Sequence, residues 1–361
     1  MRVVVATDRY PALSSAQASA VLATAWAEQR AQVAVVPLGN ALEGFQEALA
    51  DLLAASGDLI STEHGIAHVV EAETGDGGLL VAVRPEHVPA GEGIDVEASS
   101  VEVGRLVRTV VEQARERGHV ERIVLEVGDR PAHDGGAGLL AAWGATADRP
   151  LDEGVAALAG ITRADLAGVV DWLGGARLDL VVPAEEHTRH LVGLRGLTSV
   201  RGHAIGLDPA SLLSTDQALV DLAAALDRVP QSRAAGAGAA GGLGFAALAL
   251  GGSVSTGAAY GRDLANLATT IGQADLVVTG AGQLDFGTMG GDVLFTVLAV
   301  ASDALRPVVV VAENNFISPR ELRSIGVEAA YSVRSDTSDP NPVDADELLA
   351  AAQRIARSWA W

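Results

Sequence analysis

The chain reads ADLVVT at 274–279, DVLFTVLAVASDAL at 292–305 and PVVVVA at 307–312, and these three segments decide the fold class. The first and third are short, almost continuously apolar runs, as strands buried on both faces are. The middle segment has the length and the apolar spacing of a helix. A strand, a helix and a second strand in this order predict a parallel sheet covered by helices.

The same alternation extends through most of the chain. Apolar and β-branched runs predict further strands at 2–7, 32–38, 79–84, 122–127, 178–182 and 329–333. Helical spacing predicts helices at 14–30 (with Ser14 or Ser15 as N-cap), 43–55, 101–117, 215–227, 319–325 and about 343–359. The section from about 150 to 230 is the least regular. At 361 residues the length fits two domains, so we expect an α/β fold of two α/β domains with largely parallel sheets.

The charged residues exclude several classes of function. The chain has 46 Asp and Glu against 25 basic residues, a net charge of −21, and all 25 basic residues are arginine. Without lysine, neither a phosphate-loop NTPase nor a Schiff-base or pyridoxal-phosphate enzyme fits. The excess of acidic residues argues against binding to nucleic acid and against binding to an anionic membrane surface. Any bound phosphate is therefore expected on arginine, backbone N–H groups, a helix N-terminus or a metal ion.

Two further features bear on location. The apolar run within residues 1–8 is too short for the core of a secretory signal, and cysteine is absent, so we expect a cytoplasmic protein without disulfides. Residues 234–261 carry no charge, but nine of these 28 residues are glycine. This composition predicts a glycine-rich loop leading into a buried helix and not a membrane span.

Three glycine-rich loops are candidates for ligand binding. GAGAAG at 236–241 matches the dinucleotide pattern G-x-G-x-x-G, but a predicted helix precedes it where a strand is required. What remains is a loop whose N–H groups can face an anion. The loops DGGAG (134–138) and TGAGQLD (279–285) each follow a predicted strand, where parallel sheets bind ligands. Each could equally be a turn capped by its aspartate.

The histidines give weaker signals. The cluster EEHTRH at 185–190 offers metal ligands or a base, or simply a charged surface loop. His64 and His68 have helical spacing but no carboxylate that would complete a zinc motif, so a structural or solvated role is expected. We predict no dedicated metal site.

Taken together, these segments resemble the bacterial type I glycerate kinases along the whole chain. The most specific matches are DGGAG (134–138), GAGAAGGLGF (236–245) and ADLVVTG (274–280), the last continuing to Leu284, Asp285 and Thr288. The resemblance implies ATP-dependent phosphorylation of glycerate between two α/β domains. It also implies that one domain, flavodoxin-like, is inserted into a domain built from both chain ends. We place the boundaries near 75 and 265, so that the inserted domain is 76–264 and the other domain is 1–75 and 265–361.

The chain departs from the family pattern at charged positions. The family's first loop, A-P-D-S-F-K-G-S-L-S, is here ATDRYPALSS (6–15), which keeps Asp8 and loses the lysine. Its G-G-S-A-T-N is here GDRPAH (128–133), with Arg130 in place of serine. Elsewhere an arginine and a second lysine become Gln283 and Asp292, and acidic positions become Asn40 and Ala281. Each lost contact to a buried phosphate costs about 1.5–3 kcal/mol.

Two functions are therefore weighed. One is a divergent kinase of glycerate or a related small hydroxy acid, which uses ATP with Mg²⁺. The other is a non-catalytic paralogue that binds a metabolite or a protein partner. In either case the protein could be oligomeric. For the kinase, the resemblance implies metal or substrate contacts from Asp8, Asp134 and Asp285, with neutralising charge from Arg9 or Arg130. The remaining expected contacts are nucleotide binding by Gly236, Gly238, Gly241, Gly242, Thr279, Gly280 and Gly282, and substrate binding by Gly135, Gly136 and Glu43.

Overall fold

The computed structural model describes residues 1–75, 77–86, 94–287, 290–334 and 341–359. Its strands, in chain order, are β1 (Arg2–Val5), β2 (Gln32–Val35), β3 (Gly57–Thr62), β4 (Gly65–Glu73), β5 (Leu79–Pro85), β6 (Val120–Glu126), β7 (Thr146–Ala147), β8 (Ala164–Asp165), β9 (Arg177–Val181), β10 (Ser253–Ser255), β11 (Leu276–Leu284), β12 (Val308–Asn315) and β13 (Ala329–Ser332).

The helices alternate with these strands, as the sequence predicted. They are α1 (Ser15–Ala27), α2 (Phe45–Leu52), α3 (Val101–Arg115), α4 (Ala137–Ala142), α5 (Ala167–Leu173), α6 (Leu197–Ala204), α7 (Pro209–Ala225), α8 (Val229–Ser232), α9 (Leu243–Ala249), α10 (Gly257–Leu264), α11 (Leu267–Gly272), α12 (Gly291–Asp303), α13 (Pro319–Ser324) and α14 (Ala345–Trp359). Short 3₁₀ turns lie at Val155–Leu158 and Ala239–Gly242. Within the described residues, none of these helices has the length and apolarity to span a membrane.

The chain divides into two compact units. The terminal unit comprises Met1–Ala55 and Gly257–Trp361, and the inserted unit comprises Ser56–Thr256. The terminal unit contains a five-stranded sheet in the order β13-β12-β11-β1-β2, with every pair parallel. Counted within the unit, this is the flavodoxin-like order 2-1-3-4-5, whose connections reverse direction between β1 and β11.

Residues alternate between the two faces of this sheet. Val3 and Val5 pack with Trp26 of α1 on one face, while Val4 and Ala6 pack with α12 on the other. Ser14 begins α1 through a capping box with Gln17, so the predicted N-cap is confirmed. Helices thus cover both faces, and the predicted α/β class with parallel strands is confirmed.

The inserted unit contains a six-stranded sheet in the order β10-β9-β6-β5-β4-β3. The four strands β10, β9, β6 and β5 are parallel, and β4 and β3 add an antiparallel edge. Helix α3 buries one apolar stripe against this sheet, from Val103 to Ala114.

The predicted domain boundaries at 75 and 265 differ from the division that the structure gives. Residues 57–73 form β3 and β4, which pair with β5 and so belong to the inserted unit. Residues 257–264 form α10, whose Tyr260 ring meets Phe45 of α2 edge-on at 5.8 Å, so they belong to the terminal unit. The flavodoxin-like strand order is that of the terminal unit, whereas the resemblance implied it for the inserted one.

Candidate active site

Asp8 lies just beyond β1, at the point of the terminal sheet where the strand order reverses. Its backbone N–H donates to the Gly280 carbonyl on the neighbouring β11 at 3.3 Å. Asp8 is 7% exposed, and the adjoining Thr279 is fully buried. Ligands of open parallel sheets bind outside the carboxyl ends of the strands at such a reversal. The structure therefore brings together Asp8, Thr279 and Gly280 of the predicted site.

The carboxyl group of Asp8 is held from two sides. The Asn40 side-chain amide donates to Oδ2 at 2.6 Å, and the Arg9 backbone N–H donates to Oδ1 at 2.7 Å. Burial raises the pKa of Asp8 to about 7, and the nearby charge of Glu43 acts in the same direction. The carboxyl group can therefore take up or release a proton near neutral pH, which is the property of a general base.

Tyr10 fixes the loop that follows Asp8. Its ring is fully buried, and its hydroxyl donates to the Val311 carbonyl of β12 at 2.5 Å. A Cβ atom on Gly280 would lie 2.7 Å from Thr7 Oγ1 and still closer to the Tyr10 hydroxyl. Close packing therefore requires glycine at position 280, and the predicted nucleotide contact at this residue stays a prediction.

Four buried oxygen atoms near these strand ends have no hydrogen-bond partner within the described part of the chain. They are Asn40 Oδ1, Thr279 Oγ1, Glu313 Oε2 and Asn314 Oδ1. Unpaired polar atoms are costly to bury, so each of these atoms indicates a position where a ligand could supply the missing hydrogen bond. Sequence reasoning missed Glu313, because the apolar run that ends at Ala312 gives no sign that the next side chain is buried.

The loop after β11 is organised by Asp285. Its carboxylate accepts the Gln283 side-chain amide at 2.7 Å and the Gly287 N–H at 2.8 Å, as expected for a turn-forming aspartate. Gly282 lies against Pro11, where a Cβ atom would stand 3.1 Å from the proline ring. The predicted Thr288 lies outside the described residues.

Three further charged residues singled out in the sequence lie in the terminal unit. Arg9 and Glu43 are exposed on the loops beside Asp8, and each influences its titration. Asp292 lies in the first turn of α12, and its buried Oδ2 atom has no partner among the described residues. A negative charge thus occupies a position where the resembled family has lysine.

In the inserted unit, Asp134 is buried and is saturated by donors of its own unit. Oδ2 accepts the Ser100 N–H at 2.7 Å, the Ser100 and Ser99 hydroxyls at 2.9 and 3.2 Å, and the Gly138 N–H at 3.1 Å. Oδ1 accepts the Gly136 N–H at 3.0 Å. Burial raises the pKa of Asp134, and these hydrogen bonds oppose the shift. The arrangement supports the capping interpretation of this loop, because the carboxylate ties the starts of α3 and α4 together.

The glycines at 236–242 allow two loops to pack backbone to backbone. A Cβ atom on Gly242 would lie 2.5 Å from the Gly135 Cα, and one on Gly236 would lie 3.0 Å from the His187 carbonyl. Gly238 and Gly241 approach the carbonyls of His190 and Ala132 even more closely. Packing thus accounts for all four glycines, as it does for Gly136, where a Cβ atom would meet Ala246 at 2.6 Å. Their predicted ligand contacts stay predictions.

Arg130 and Glu186 are buried charges beside this packed loop. Arg130 is 3% exposed, and burial lowers its pKa to about 10 against the opposing charges of Glu186 and Asp134. Glu186 accepts the Ala240 N–H at 2.7 Å and lies 3.5 Å from Arg189 Nη1. The cluster at 185–190 therefore contributes a buried carboxylate and not only a charged surface.

A second buried arginine comes from the section that sequence reasoning could not interpret. Arg201 of α6 forms an ion pair with Asp129 and donates to the Ala132 carbonyl at 3.2 Å. His133 contacts the Thr198 hydroxyl at 2.8 Å, and burial lowers its pKa to about 4, so the ring is neutral at pH 7. Among the described residues, no group of three or more His, Asp or Glu side chains is arranged to hold a metal ion.

Comparison with known proteins gives concordant matches. A model of the glycerate kinase family matches residues 3–360. A Mycobacterium bovis protein named only as uncharacterized is 29% identical over 374 residues, which cover 99% of this chain and 91% of that protein. The glycerate 2-kinase of Escherichia coli is 27% identical over 354 residues, covering 92% and 90%. A crystal structure described as glycerate kinase 2 from Salmonella typhimurium matches in fold with a TM-score of 0.75 at 24% identity, covering 99% of this chain and 98% of that one.

Proposed function

The chain belongs to the glycerate kinase family, as its motifs predicted, and we propose that it transfers the terminal phosphoryl group of ATP to a hydroxyl group of glycerate or a related small hydroxy acid. The observation that carries this proposal is Asp8. It is a buried carboxyl group at the reversal of strand order, and its pKa is raised to about 7. A general base is most effective when its pKa lies near the working pH.

In the proposed reaction the substrate hydroxyl oxygen attacks the γ-phosphorus of ATP, and the bond from that phosphorus to the bridging oxygen breaks. Asp8 accepts the hydroxyl proton, and ADP leaves. Such reactions depend mainly on positioning and on neutralising charge on the transferred group. In a chain without lysine, Arg9 and backbone N–H groups are the proposed source of positive charge near Asp8.

The nucleotide is expected to bind with Mg²⁺. This ion usually takes one or two protein carboxylates together with waters and substrate phosphates, so it needs no dedicated cluster of side chains. The Glu313 carboxylate oxygen that has no hydrogen-bond partner in the described structure is of the type that Mg²⁺ prefers. When bound, the ion would neutralise charge on the phosphates. We expect the reaction in the cytoplasm.

Direct detection of product tests this proposal. Purified protein is incubated with Mg²⁺-ATP and glycerate, and both 2- and 3-phosphoglycerate are measured together with ADP. Asp8→Asn should lower kcat by about 10²–10⁴-fold, because that is the contribution of a positioned base. Asp303→Asn, an exposed aspartate at the end of α12, is the matched control and should behave as the wild type. The wild-type rate should rise with pH through about 7, where Asp8 ionises.

A second candidate is a non-catalytic paralogue that binds the hydroxy acid or a partner without phosphoryl transfer. Asp292 favours it, because its buried Oδ2 accepts no hydrogen bond from the described residues and puts a negative charge at the start of α12, which the charge of Arg262 offsets only from a distance. A carboxylate there opposes the binding of phosphate at a helix N-terminus. Asp292→Asn separates the two functions. It should leave an active kinase equally active or faster, whereas no product from either protein would refute the kinase and leave the binding role.

A further inference from the structure

We propose that Leu42 determines the specificity of this protein, and that its preferred acceptor is a 2-hydroxy acid with an alkyl side chain in place of the hydroxymethyl group of glycerate. The inference rests on the function proposed above, because it takes Asp8 as the group that receives the acceptor's hydroxyl proton. It names the class of acceptor, and its test needs no ATP.

Leu42 has a backbone conformation that leucine rarely adopts. Its φ is +67°, in the left-handed region, where the Cβ atom is crowded by the backbone. The residue is the third of a four-residue turn, which the Glu43 N–H closes by donating to the Asn40 carbonyl at 3.0 Å. A positive φ at this place in a turn is usually occupied by glycine or asparagine. Leucine strains this turn, and such strain points to a task of the side chain that glycine would not perform.

Helix ends explain most of the other positive φ angles found outside glycine in the described part of the chain. Arg30, Ala54, Asp227 and Leu305 lie within three residues after the ends of α1, α2, α7 and α12. A left-handed residue commonly ends a helix in this way. Leu42 instead precedes a helix, α2, so its conformation is not that of a helix end.

The turn that carries Leu42 also holds Asp8. Asn40, the first residue of the turn, donates its side-chain amide to Asp8 Oδ2 at 2.6 Å. Leu42 lies two residues further on, and its side chain is 44% exposed although it is apolar. A base lies within hydrogen-bond reach of the hydroxyl group whose proton it accepts. The acceptor therefore binds beside this turn, whereas the nucleobase of ATP is separated from the transferred group by the sugar and two phosphates.

The loop after Asp8 provides a cation and more apolar surface. Arg9 and Pro11 are exposed on this loop, and a Cβ atom on Gly44 would lie 3.5 Å from Arg9 Cδ, so the arginine side chain runs along the start of α2. The resembled family has lysine at the position of Pro11. The charge of Arg9 attracts the carboxylate of the acceptor, and the apolar surface of Leu42 and Pro11 is suited to its alkyl group.

The difference between the two kinds of acceptor is one group on the third carbon. The side chain of Leu42 has no hydrogen-bonding atom, so it cannot replace the water that solvates the C3 hydroxyl of glycerate, and loss of that water weakens binding. An alkyl carbon at the same place gains from leaving water. The position of Leu42 therefore favours the alkyl acid over glycerate.

Binding of two matched probes without ATP tests the proposal. Sodium DL-2-hydroxybutanoate has a methyl group where sodium DL-glycerate has the C3 hydroxyl, and the two acids are otherwise the same. Calorimetric titration should show that the wild type binds 2-hydroxybutanoate more tightly by about tenfold, as expected for one such group in an apolar site.

Leu42→Gly should remove this preference without weakening the fold. The affinity for 2-hydroxybutanoate should fall about tenfold and that for glycerate should stay the same, because only the alkyl contact is lost. The ligand-free Tm should be equal or higher, because glycine adopts a positive φ without strain. A purely structural role of Leu42 would instead lower the Tm and both affinities together.

Leu305→Gly is the matched control. Leu305 also has a positive φ, +54°, and is 88% exposed, but it lies before β12, at the amino ends of the parallel strands and so at the opposite edge of the sheet from Asp8. This variant should bind both probes as the wild type does. Leu42→Met, which keeps an unbranched apolar side chain, should retain the preference for 2-hydroxybutanoate.

The result is separate from that of the phosphoryl-transfer assay. If the wild type prefers 2-hydroxybutanoate and Leu42→Gly does not, the assignment of Leu42 is supported, and absence of phosphorylated product from either acid would then refute the kinase alone. Wild-type binding of glycerate that equals or exceeds that of 2-hydroxybutanoate would overturn the proposal. An unchanged preference in Leu42→Gly, or no saturable binding of 2-hydroxybutanoate to the wild type, would overturn it as well.

Discussion

Asp8 should make the terminal unit less stable as the pH rises. The pKa of an aspartate is 3.8 in an ordinary setting and about 7 for Asp8 in the folded protein. The folded state therefore holds the proton over a pH range in which the unfolded state has lost it. The contribution of this proton to the free energy of unfolding is fully present at low pH. It decreases between about pH 4 and 7 and is lost above pH 7. Over the interval from pH 5 to 8 the loss amounts to about 3 kcal/mol, at 1.36 kcal/mol per pKa unit.

The substitution Asp8→Asn isolates this effect, because the amide does not titrate. The new side chain fits the site, since the Asn40 amide can turn over and offer its Oδ1, which has no partner in the described structure, to the introduced N–H₂ group. The variant should therefore be more stable than the wild type by an amount that is about 3 kcal/mol larger at pH 8 than at pH 5.

Urea unfolding followed by circular dichroism at pH 5 and pH 8 measures both proteins. Other titrating groups, His133 among them, contribute equally to both and cancel in the difference. Asp303→Asn, whose carboxylate is exposed, is the control and should show no pH-dependent difference from the wild type. If Asp8→Asn differs from the wild type by the same amount at the two pH values, Asp8 does not titrate near 7, and the argument for it as a base fails as well.

Two other predictions concern packing and buried hydrogen bonds. Gly280→Ala should destabilise the protein by about 2–3 kcal/mol, because its Cβ atom would stand 2.7 Å from Thr7 Oγ1 and closer still to the Tyr10 hydroxyl. Urea unfolding of the double variant with Tyr10→Phe should show a smaller cost than the sum of the two single changes, and strict additivity would contradict the clash. Asp134→Asn should lower the stability of the inserted unit by about 3–5 kcal/mol, because an N–H₂ group replaces an oxygen that faces donors from Ser99, Ser100 and Gly138. If the near-UV circular dichroism of the variant persists to the same urea concentration as that of the wild type, these hydrogen bonds contribute little to stability.

The order of strands and helices was predictable because it follows from local patterns. The apolar runs at 274–279 and 307–312 lie in the parallel strands β11 and β12, and Ser14 caps α1 as predicted. The hairpin at 57–73 was not foreseen. Its strands carry polar residues such as Asp58 and Glu71, and they are stabilised by antiparallel pairing with β5, a contact that local periodicity does not encode.

The candidate site was predictable only in part. Asp8 and Thr279 follow apolar strands and were found by position, because the carboxyl ends of parallel strands share one edge. Glu313 and Arg201 were missed, because their burial depends on elements that are distant in the sequence. Asp134 was found by its motif, but its five hydrogen bonds to residues of its own unit indicate a structural role that a motif cannot distinguish from a catalytic one.

The sequence by itself determined the fold class, the family and the chemistry that is excluded. Hydrophobic periodicity and the absence of lysine are properties of the chain alone, and they hold whatever its tertiary structure. Only the tertiary structure decided which charges are paired. Whether Asp8 keeps its proton near pH 7, and whether Arg130 has a partner, depends on desolvation and on neighbours such as Asn40 and Glu186. Both properties depend on burial and on distances in space, and these are determined by residues that are far apart in the sequence.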